Sequence, residues 1–413
     1  METATQARAS ARPIERVRGT FDKSAVEVRR QAALLSELQQ LAASHTYALV
    51  DTPVLEHTEL FLRKSGGERI TQLYAFQHRG RGLALRPEFT AGIVRSWVDH
   101  LQSEPLPARL AYSGPVFRYE KPQAGRARQF TEFGCELIGG SGPLADAEII
   151  GLALESLRVA GIARPHLVLG HIGVVIDFLA GLDVDQRAQD WLTWSMERLR
   201  KGDDTAHELP PHLARLEATL DASSPLQELD DLDEAAAGEL LRQAGVQFEG
   251  SSRSAEEIVR GLFARRRRRH DPQVLRDAAE FVGRLTQLAG APAEVLGPLR
   301  RLVAERGLDT APLDELEEIV ALLGILGHDA REVTIDLGMG RGLHYYTGML
   351  FEIYASGRSG QQLCGGGRYD DLAGLLGARQ ATPACGFSLG LERVLAASSR
   401  TFATDLQPAV LVL

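Results

Sequence analysis

The sequence predicts a mixed α+β protein in which a largely antiparallel sheet is flanked by helices and interrupted by a mostly helical insertion. Strand-like runs follow one another across hairpin-type turns and do not alternate with helices as regular βαβ units would. From about residue 180 to residue 332 the strand-like runs vanish and helical periodicity prevails. We therefore expect a disordered tail over 1–13, a core in two parts over 14–180 and 333–400, an insertion over 181–332 and a remnant tail over 401–413.

The first elements follow from local patterns. Apolar residues recur at helical spacing over 27–47, which predicts an amphipathic helix, and β-branched residues before Pro53 predict a strand that ends at a bend. The segment 72–92 predicts two strands joined by a glycine-containing turn and then a helix from near Thr90. Over 108–140 the pattern predicts strand, loop and strand, with a basic loop rich in Gly and Pro.

The later elements complete the core. A helix is expected over about 146–160, then a strand and a helix start over 166–179. Strand character returns over 332–355 and 361–372, and the last helix is expected over about 390–399. The chain stops inside PAVLVL, a run typical of the first strand of an α/β domain, so we expect that domain to be missing.

Composition narrows the function class. The 413 residues carry a net charge of −9 and give a pI near 5.7, so no global charge draws the chain to nucleic acid. No apolar run could span a bilayer and no secretory signal is present, which predicts a cytoplasmic protein. The three cysteines have no metal-ligand spacing and are expected to be reduced and structural. The basic run Arg265 to Arg269 is either a solvated helix face or a contact for RNA phosphates.

Four arginines lie beside glycines or strand ends: Arg118, Arg126, Arg341 and Arg393. A guanidinium stays charged and matches phosphate geometry, so arginines converging on one cleft would suit a triphosphate or phosphoribosyl group. Surface ion pairing is the alternative for each of them taken singly.

A second group of polar residues lies on or beside predicted strands. Glu132 and Glu136 share one strand face by alternation, and Glu88 is followed closely by Thr90. Two carboxylates on one face could hold an ammonium or imidazolium group, or a divalent metal through water. A solvent-exposed polar face is the alternative.

Two glycine-rich segments complete the candidate site. The run from Cys364 to Asp370 permits close approach of backbone to ligand, or forms a bulge or bend, and it lacks the Lys-Ser/Thr of a P-loop. The stretch 340–348, GRGLHYYTG, combines a cation with an imidazole and two phenols, which suits a small polar ligand. We find neither zinc spacing nor a nucleophile elbow in the sequence, and expect no metal site.

Six segments, taken in order along the chain, together resemble the motifs of the histidyl-tRNA synthetase family, a class II synthetase catalytic domain. The resemblance runs from Val17 to about Ser399. The segments are VDTPVLEHTELF, LRPEFTAG, FRYEKPQAGRARQFTEFGCELIGG, GRGLHYYTG, CGGGRYDDL and GFSLGLERV. The resemblance implies a dimer and a role for each matching residue. Arg341 would be the catalytic arginine if the chain activates histidine. The ATP side would be formed by Arg118, Glu120, Arg126 and Arg393, and the histidine pocket by Glu88, Thr90, Glu132, Glu136, Arg341, Tyr345, Tyr346 and Tyr369.

Within that resemblance, Glu88 and Thr90 would face the amino group of histidine, whereas Glu136 and Tyr346 would face its imidazole. Three departures stand out: His344 replaces an aspartate, Glu132 replaces a glutamine, and the anticodon-reading domain is expected to be absent. The departures resemble synthetase paralogues that serve as regulatory subunits of ATP phosphoribosyltransferase, in the first step of histidine biosynthesis.

This resemblance implies a non-catalytic protein that assembles with a short catalytic subunit and takes part in feedback inhibition by histidine. Histidine would be the effector, no cofactor would be bound covalently, and neither tRNA nor a membrane would be a partner. The alternative is a truncated histidine-activating enzyme, which would form histidyl-adenylate from histidine and ATP with Mg²⁺. Whether histidine binds in this pocket or at the partner interface stays open.

Overall fold

The computed structural model describes residues 14–65, 73–119, 127–182, 272–339, 346–356 and 360–402, together with residues 189, 192 and 196. The chain divides into two compact units. The first comprises Met1–Ser141, Glu148–Pro165 and Ile353–Leu413, and the second comprises Gly142–Ala147 and His166–Glu352. Among the described residues no helix is long and apolar enough to cross a membrane.

The described helices are α1 Ala25–Ser44, α2 Thr58–Ser65, α3 Thr90–His100, α4 Gly142–Val159, α5 Gly173–Ala180, α6 Pro272–Gln287, α7 Pro292–Glu305, α8 Ala311–Ile325, α9 Leu372–Leu375 and α10 Leu391–Ala397. The described strands are β1 Ala48–Leu49, β2 Leu55–His57, β3 Ala75–His78, β4 Arg81–Leu85, β5 Ala108–Phe117, β6 Gln129–Ile138, β7 His166–His171, β8 Val333–Ile335, β9 Met349–Tyr354, β10 Gln362–Arg368 and β11 Ala384–Gly390. A 3₁₀ turn, Ala330–Glu332, precedes β8.

Helix α1 confirms the amphipathic pattern at the start of the chain. It begins with a capping box, in which the Ser24 side chain accepts from the Glu27 backbone and the Glu27 carboxylate accepts from the Ser24 backbone. Its buried residues recur every four positions: Leu34, Leu38 and Ala42. The helix ends three residues earlier than the pattern predicts, because the chain leaves helical geometry at His45 and Thr46 takes a positive φ of 66°.

A small sheet of order β2-β4-β3 follows, and it confirms the predicted hairpin. Both turn residues, Arg79 and Gly80, have positive φ, as a two-residue hairpin turn of type I′ requires. Helix α3 then begins at Thr90, where the sequence predicts it. The larger sheet of the first unit has the order β1-β5-β6-β11-β10, in which only the short β1–β5 pair is parallel. The predicted antiparallel character is therefore confirmed.

The described part of the second unit pairs β7 with β8 in parallel, Leu167 opposite Val333, and helices α7 and α8 pack against these strands. Of the predicted insertion, the described stretch 272–332 is helical, while the boundaries of the insertion stay a prediction. Residues 1–13, Arg265 to Arg269 and residues 403–413 lie outside the described residues. All three cysteines, Cys135, Cys364 and Cys385, are buried and free, as expected of structural thiols.

Candidate functional site

Strand β6 carries the two carboxylates at the centre of the candidate site. Glu132 and Glu136 lie four residues apart on one face of the strand, and their exposed fractions are 2% and 1%. Glutamate is almost never buried to this extent unless something holds its charge. The alternative of a solvent-exposed polar face is therefore wrong.

Each of the two carboxylates lies opposite a glycine of a neighbouring strand. Glu132 lies directly opposite Gly114 of β5 and Gly390 of β11, and Glu136 lies opposite Gly386. A Cβ at Gly386 would come within 1.7 Å of Glu136 Oε2, so the carboxylate rests on the backbone of that residue. Residues 364–368 pair in regular antiparallel register with β11, which rules out the bulge or bend predicted as an alternative there.

Tyr112 is the residue around which the predicted acids gather. Its ring is fully buried, stacked at 4.6 Å on Phe89, and its hydroxyl donates to Glu136 Oε1 at 3.1 Å. The Thr90 side chain hydrogen-bonds the same phenol. Burial raises the pKa of Tyr112 well above its ordinary value, and three carboxylates raise it further: Glu136, Glu132 and Glu88. Tyr112 therefore stays a neutral hydrogen-bond donor at physiological pH.

The other oxygen of Glu136 has its own phenolic donor. Tyr369 is buried and its hydroxyl donates to Glu136 Oε2 in a short hydrogen bond. Two phenols thus fix the carboxylate in place without adding a formal charge. A carboxylate held in this way suits the N–H groups of an imidazole or imidazolium, because charge-assisted hydrogen bonds are the stronger class.

The Glu132 end of the site is arranged differently. Arg118 Nη2 lies 2.5 Å from Glu132 Oε1, and Arg118 Nε donates to the Pro87 carbonyl at 2.7 Å. The Glu132 side chain is 3% exposed, whereas that of Arg118 is 30% exposed. A Cβ at Gly390 would lie 4.0 Å from the Arg393 Cδ, so a second predicted arginine borders this corner.

Glu88 and Thr90 lie at the start of α3. Both carboxylate oxygens of Glu88 are 3.3 Å from the backbone nitrogen of Ala91, where the N-terminal end of the helix favours negative charge. The helix thus holds Glu88 beside Tyr112, and the structure brings together five of the predicted site residues around that tyrosine: Glu88, Thr90, Glu132, Glu136 and, through Glu136, Tyr369.

Other predicted residues lie elsewhere in the chain. Tyr346 belongs to the second unit, where it is half-buried ahead of β9, and its role toward imidazole stays a prediction. Five predicted or highlighted positions fall outside the described residues: Glu120, Arg126, Arg341, His344 and Tyr345. Within the described ranges, no group of three or more His, Cys, Asp or Glu side chains is arranged to hold a metal ion.

Sequence reasoning did not identify Tyr112, Gly114 or Gly386 as site residues. Alternation along β5 places Tyr112 and Gly114 on one face, which the sequence does reveal. What it does not reveal is the register that sets Tyr112 opposite Gly134, and Gly134 opposite Ser388. A Cβ at Gly134 would come within 2.4 Å of the Tyr112 hydroxyl, so the missing side chain lets that hydroxyl reach Glu136.

Comparisons with known proteins find sequences similar to this chain. A family model described as histidyl-tRNA synthetase matches residues 19–258 and 250–394. A histidine–tRNA ligase of Archaeoglobus fulgidus is 33% identical over 388 residues, which cover 94% of this chain and 76% of that protein. A histidine–tRNA ligase of Methanocaldococcus jannaschii is 32% identical over 382 residues, 92% of this chain and 75% of that protein.

Solved structures show the same fold. A Bacillus halodurans protein described as an ATP phosphoribosyltransferase regulatory subunit/histidyl-tRNA synthetase aligns with a TM-score of 0.66 at 23% identity, over 94% of this chain and 85% of that one. A histidyl-tRNA synthetase from Nostoc aligns with a TM-score of 0.62 at 19% identity, over 94% and 75%. These likenesses confirm the predicted fold class.

Proposed function

We propose that this chain, which belongs to the histidyl-tRNA synthetase family, binds histidine as an effector and serves as a regulatory subunit of ATP phosphoribosyltransferase. In this role the chain would bind histidine in the pocket around Glu132 and Glu136 of β6. Binding would then change the activity of a short catalytic subunit. The proposal rests mainly on one observation, the ion pair between Arg118 and Glu132.

The ion pair matters because of the task that the family resemblance gives to Arg118. An arginine that stabilises charge on a phosphate must be available to that phosphate as the reaction proceeds. Here Arg118 Nη2 is held at 2.5 Å by a carboxylate that is 3% exposed. Glutamine, expected at position 132 from the resemblance, would hydrogen-bond Arg118 without cancelling its charge. The carboxylate therefore weakens the phosphate side of the pocket.

The histidine side of the pocket retains the groups that histidine recognition needs. Glu136 is fixed by Tyr112 and Tyr369, and Glu88 is held at the start of α3 beside the same tyrosine. An imidazole N–H could donate to Glu136, while an ammonium group could approach Glu88 or Glu132. This combination supports binding of histidine more strongly than chemistry on ATP.

The partner part of the proposal is supported by a likeness of fold. The Bacillus halodurans protein named above includes the regulatory subunit in its description. Feedback inhibition requires that histidine bind two states of the assembly with different affinity, and such coupling is typically about 1–3 kcal/mol. We expect the purified chain to activate a short catalytic subunit, and added histidine to lower that activity.

A second candidate function is histidine activation, because the two curated relatives described above are histidine–tRNA ligases at 32–33% identity. Histidine-dependent exchange of labelled pyrophosphate into ATP separates the two functions. We expect no exchange above background from the purified chain. Robust exchange that requires histidine would contradict the regulatory proposal and support ligation.

A further inference from the structure

The Glu132–Arg118 pair joins two side chains that would each bind a different charged group of a ligand. The carboxylate is the natural partner of an ammonium group, and the guanidinium is the natural partner of an oxyanion. In the structure each is occupied by the other at 2.5 Å. Any charged ligand group that approaches this corner therefore competes with an intramolecular partner.

The guanidinium side of the pair is the side that solvent reaches. Glu132 is flanked on both neighbouring strands by glycines, Gly114 and Gly390. At Gly114 the space that a side chain would fill is taken by Arg86, whose Nη2 would lie 2.6 Å from an added Cβ. At Gly390 the nearest atoms to an added Cβ lie 3.8–4.0 Å away, which is ordinary contact distance. The Arg118 side chain is 30% exposed, so an anion can approach its guanidinium from solvent.

We propose that the Glu132–Arg118 pair is an internal lock, which an ammonium group opens from the carboxylate side and an oxyanion opens from the guanidinium side. The two ligand groups then bind cooperatively. The identification of histidine as the source of the ammonium rests on the proposed function; the lock itself rests on the ion pair and on the exposure of Arg118.

Cooperativity follows from the cost of opening. An ammonium that binds Glu132 alone must first separate the pair, and an oxyanion that binds Arg118 alone must do the same. When both bind, the pair is separated once, so the first ligand removes the cost for the second. The coupling is reciprocal, and each ligand raises the affinity of the other by the same factor.

Glu132 is thereby a specificity-determining residue. With a carboxylate at position 132, Arg118 takes an oxyanion well only when a cation occupies the pocket. With an uncharged amide, Arg118 would accept the oxyanion at any time. The oxyanion is either the carboxylate of the ligand itself or a separate phosphate.

Calorimetry with pyrophosphate as the probe tests the lock. Histidinol serves as the opening ligand, because it keeps the ammonium and imidazole of histidine but has no carboxylate to occupy Arg118. We expect saturating histidinol to raise the affinity of the wild-type chain for pyrophosphate about tenfold, within the usual range of such couplings. Glu132→Gln should bind pyrophosphate about tenfold more tightly than wild type, and histidinol should change that affinity no further.

Glu148→Gln, a carboxylate variant outside the pocket, is the matched control and should bind pyrophosphate as wild type does. Equal pyrophosphate affinity in Glu132→Gln and wild type would overturn the lock, and so would a wild-type affinity that histidinol leaves unchanged although histidinol binds. The Glu132→Gln measurement needs no histidine-like ligand, so failure of the proposed function, seen as no histidine binding, is told apart from failure of the lock.

Replacing histidinol with histidine identifies the oxyanion. A smaller gain with histidine assigns Arg118 to the carboxylate of the ligand, and an equal gain assigns it to a phosphate; both support the lock. The wild-type titrations require no substitution, so the lock remains testable if Glu132→Gln fails to fold.

Discussion

The two buried carboxylates of β6 share a strand, a face and almost the same burial, yet their surroundings differ. Glu136 accepts hydrogen bonds from two neutral phenols, Tyr112 and Tyr369. Glu132 is paired with the guanidinium of Arg118. The phenols orient a charge without cancelling it, whereas the guanidinium cancels it.

The difference shows that two carboxylates on one strand can have different roles in the same pocket. A carboxylate oriented by neutral donors keeps its attraction for an incoming cation, as recognition of imidazole requires. A carboxylate in an ion pair is already satisfied, so a ligand gains there only by displacing the partner. Glu136 is therefore suited to bind a cation directly, whereas Glu132 binds one only in competition with Arg118.

The largest effect is expected where the backbone itself makes room for Glu136. Gly386→Ala would place a methyl group 1.7 Å from Glu136 Oε2, which forces the carboxylate away from Tyr369. We expect histidine binding to fall below detection by calorimetry, and overpacking to lower the free energy of unfolding by about 1–3 kcal/mol.

Gly374→Ala in α9 is the matched control, since a Cβ there would meet no atom within 4 Å. Alanine at an open helical position should leave histidine affinity unchanged. Normal histidine binding by Gly386→Ala would show that the position of the Glu136 carboxylate does not matter.

The next effect is on the ion pair. Arg118→Ala would leave the Glu132 carboxylate buried without its guanidinium, and we expect the free energy of unfolding in urea to fall by about 2–3 kcal/mol, because Arg118 is partly screened by solvent. Adding Glu132→Gln to this variant should restore most of the loss. Equal stability of the single and double variants would argue against a strong interaction between the two side chains.

A smaller effect is expected at the phenolic end. Tyr369→Phe removes one hydrogen bond to Glu136 and adds no clash, so the free energy of unfolding should fall by about 1 kcal/mol. Histidine affinity should fall severalfold, because the carboxylate is then held by Tyr112 alone among the two phenols. A loss as large as that of Arg118→Ala would contradict the distinction between the two ends.

The smallest effect concerns Glu148, a third carboxylate, which lies outside the pocket. It accepts hydrogen bonds from both a guanidinium and a phenol. Burial raises the pKa of Glu148, but hydrogen bonds from Arg109 and Tyr47 outweigh it and hold that pKa below its ordinary value of 4.5. A carboxyl with a lowered pKa contributes stability above its ordinary value and loses that contribution as pH falls through the folded pKa.

Glu148→Gln should therefore be less stable than wild type near neutral pH, by on the order of 1 kcal/mol for this half-exposed cluster. The difference should shrink as the pH falls below about 4.5 and vanish once the pH is below the folded pKa. Thermal unfolding between pH 3 and pH 7 measures it, and a difference independent of pH would rule out the ionised carboxylate as its source.

Much of this arrangement follows from sequence patterns. Alternation alone places Glu132 and Glu136 on one face, and the glycines ahead of Leu83, at positions 80 and 82, mark the hairpin that leads to Thr90. The sequence does not reveal which strand lies beside which. Tyr112 reaches Glu136 only because β5 pairs with β6 in a register that sets Tyr112 opposite Gly134. The Arg118–Glu132 contact likewise joins the end of β5 to β6, and both residues are equally typical of surface ion pairs.

Titration of histidine by calorimetry, on wild type, Glu136→Gln and the Glu148→Gln control, tests whether the chain binds histidine through the Glu136 carboxylate. We predict that wild type and the control bind histidine with the same affinity. Glu136→Gln should bind it about 10- to 100-fold more weakly, as expected for loss of a charge-assisted hydrogen bond. Unchanged affinity in Glu136→Gln, or no histidine binding by wild type, would contradict the account.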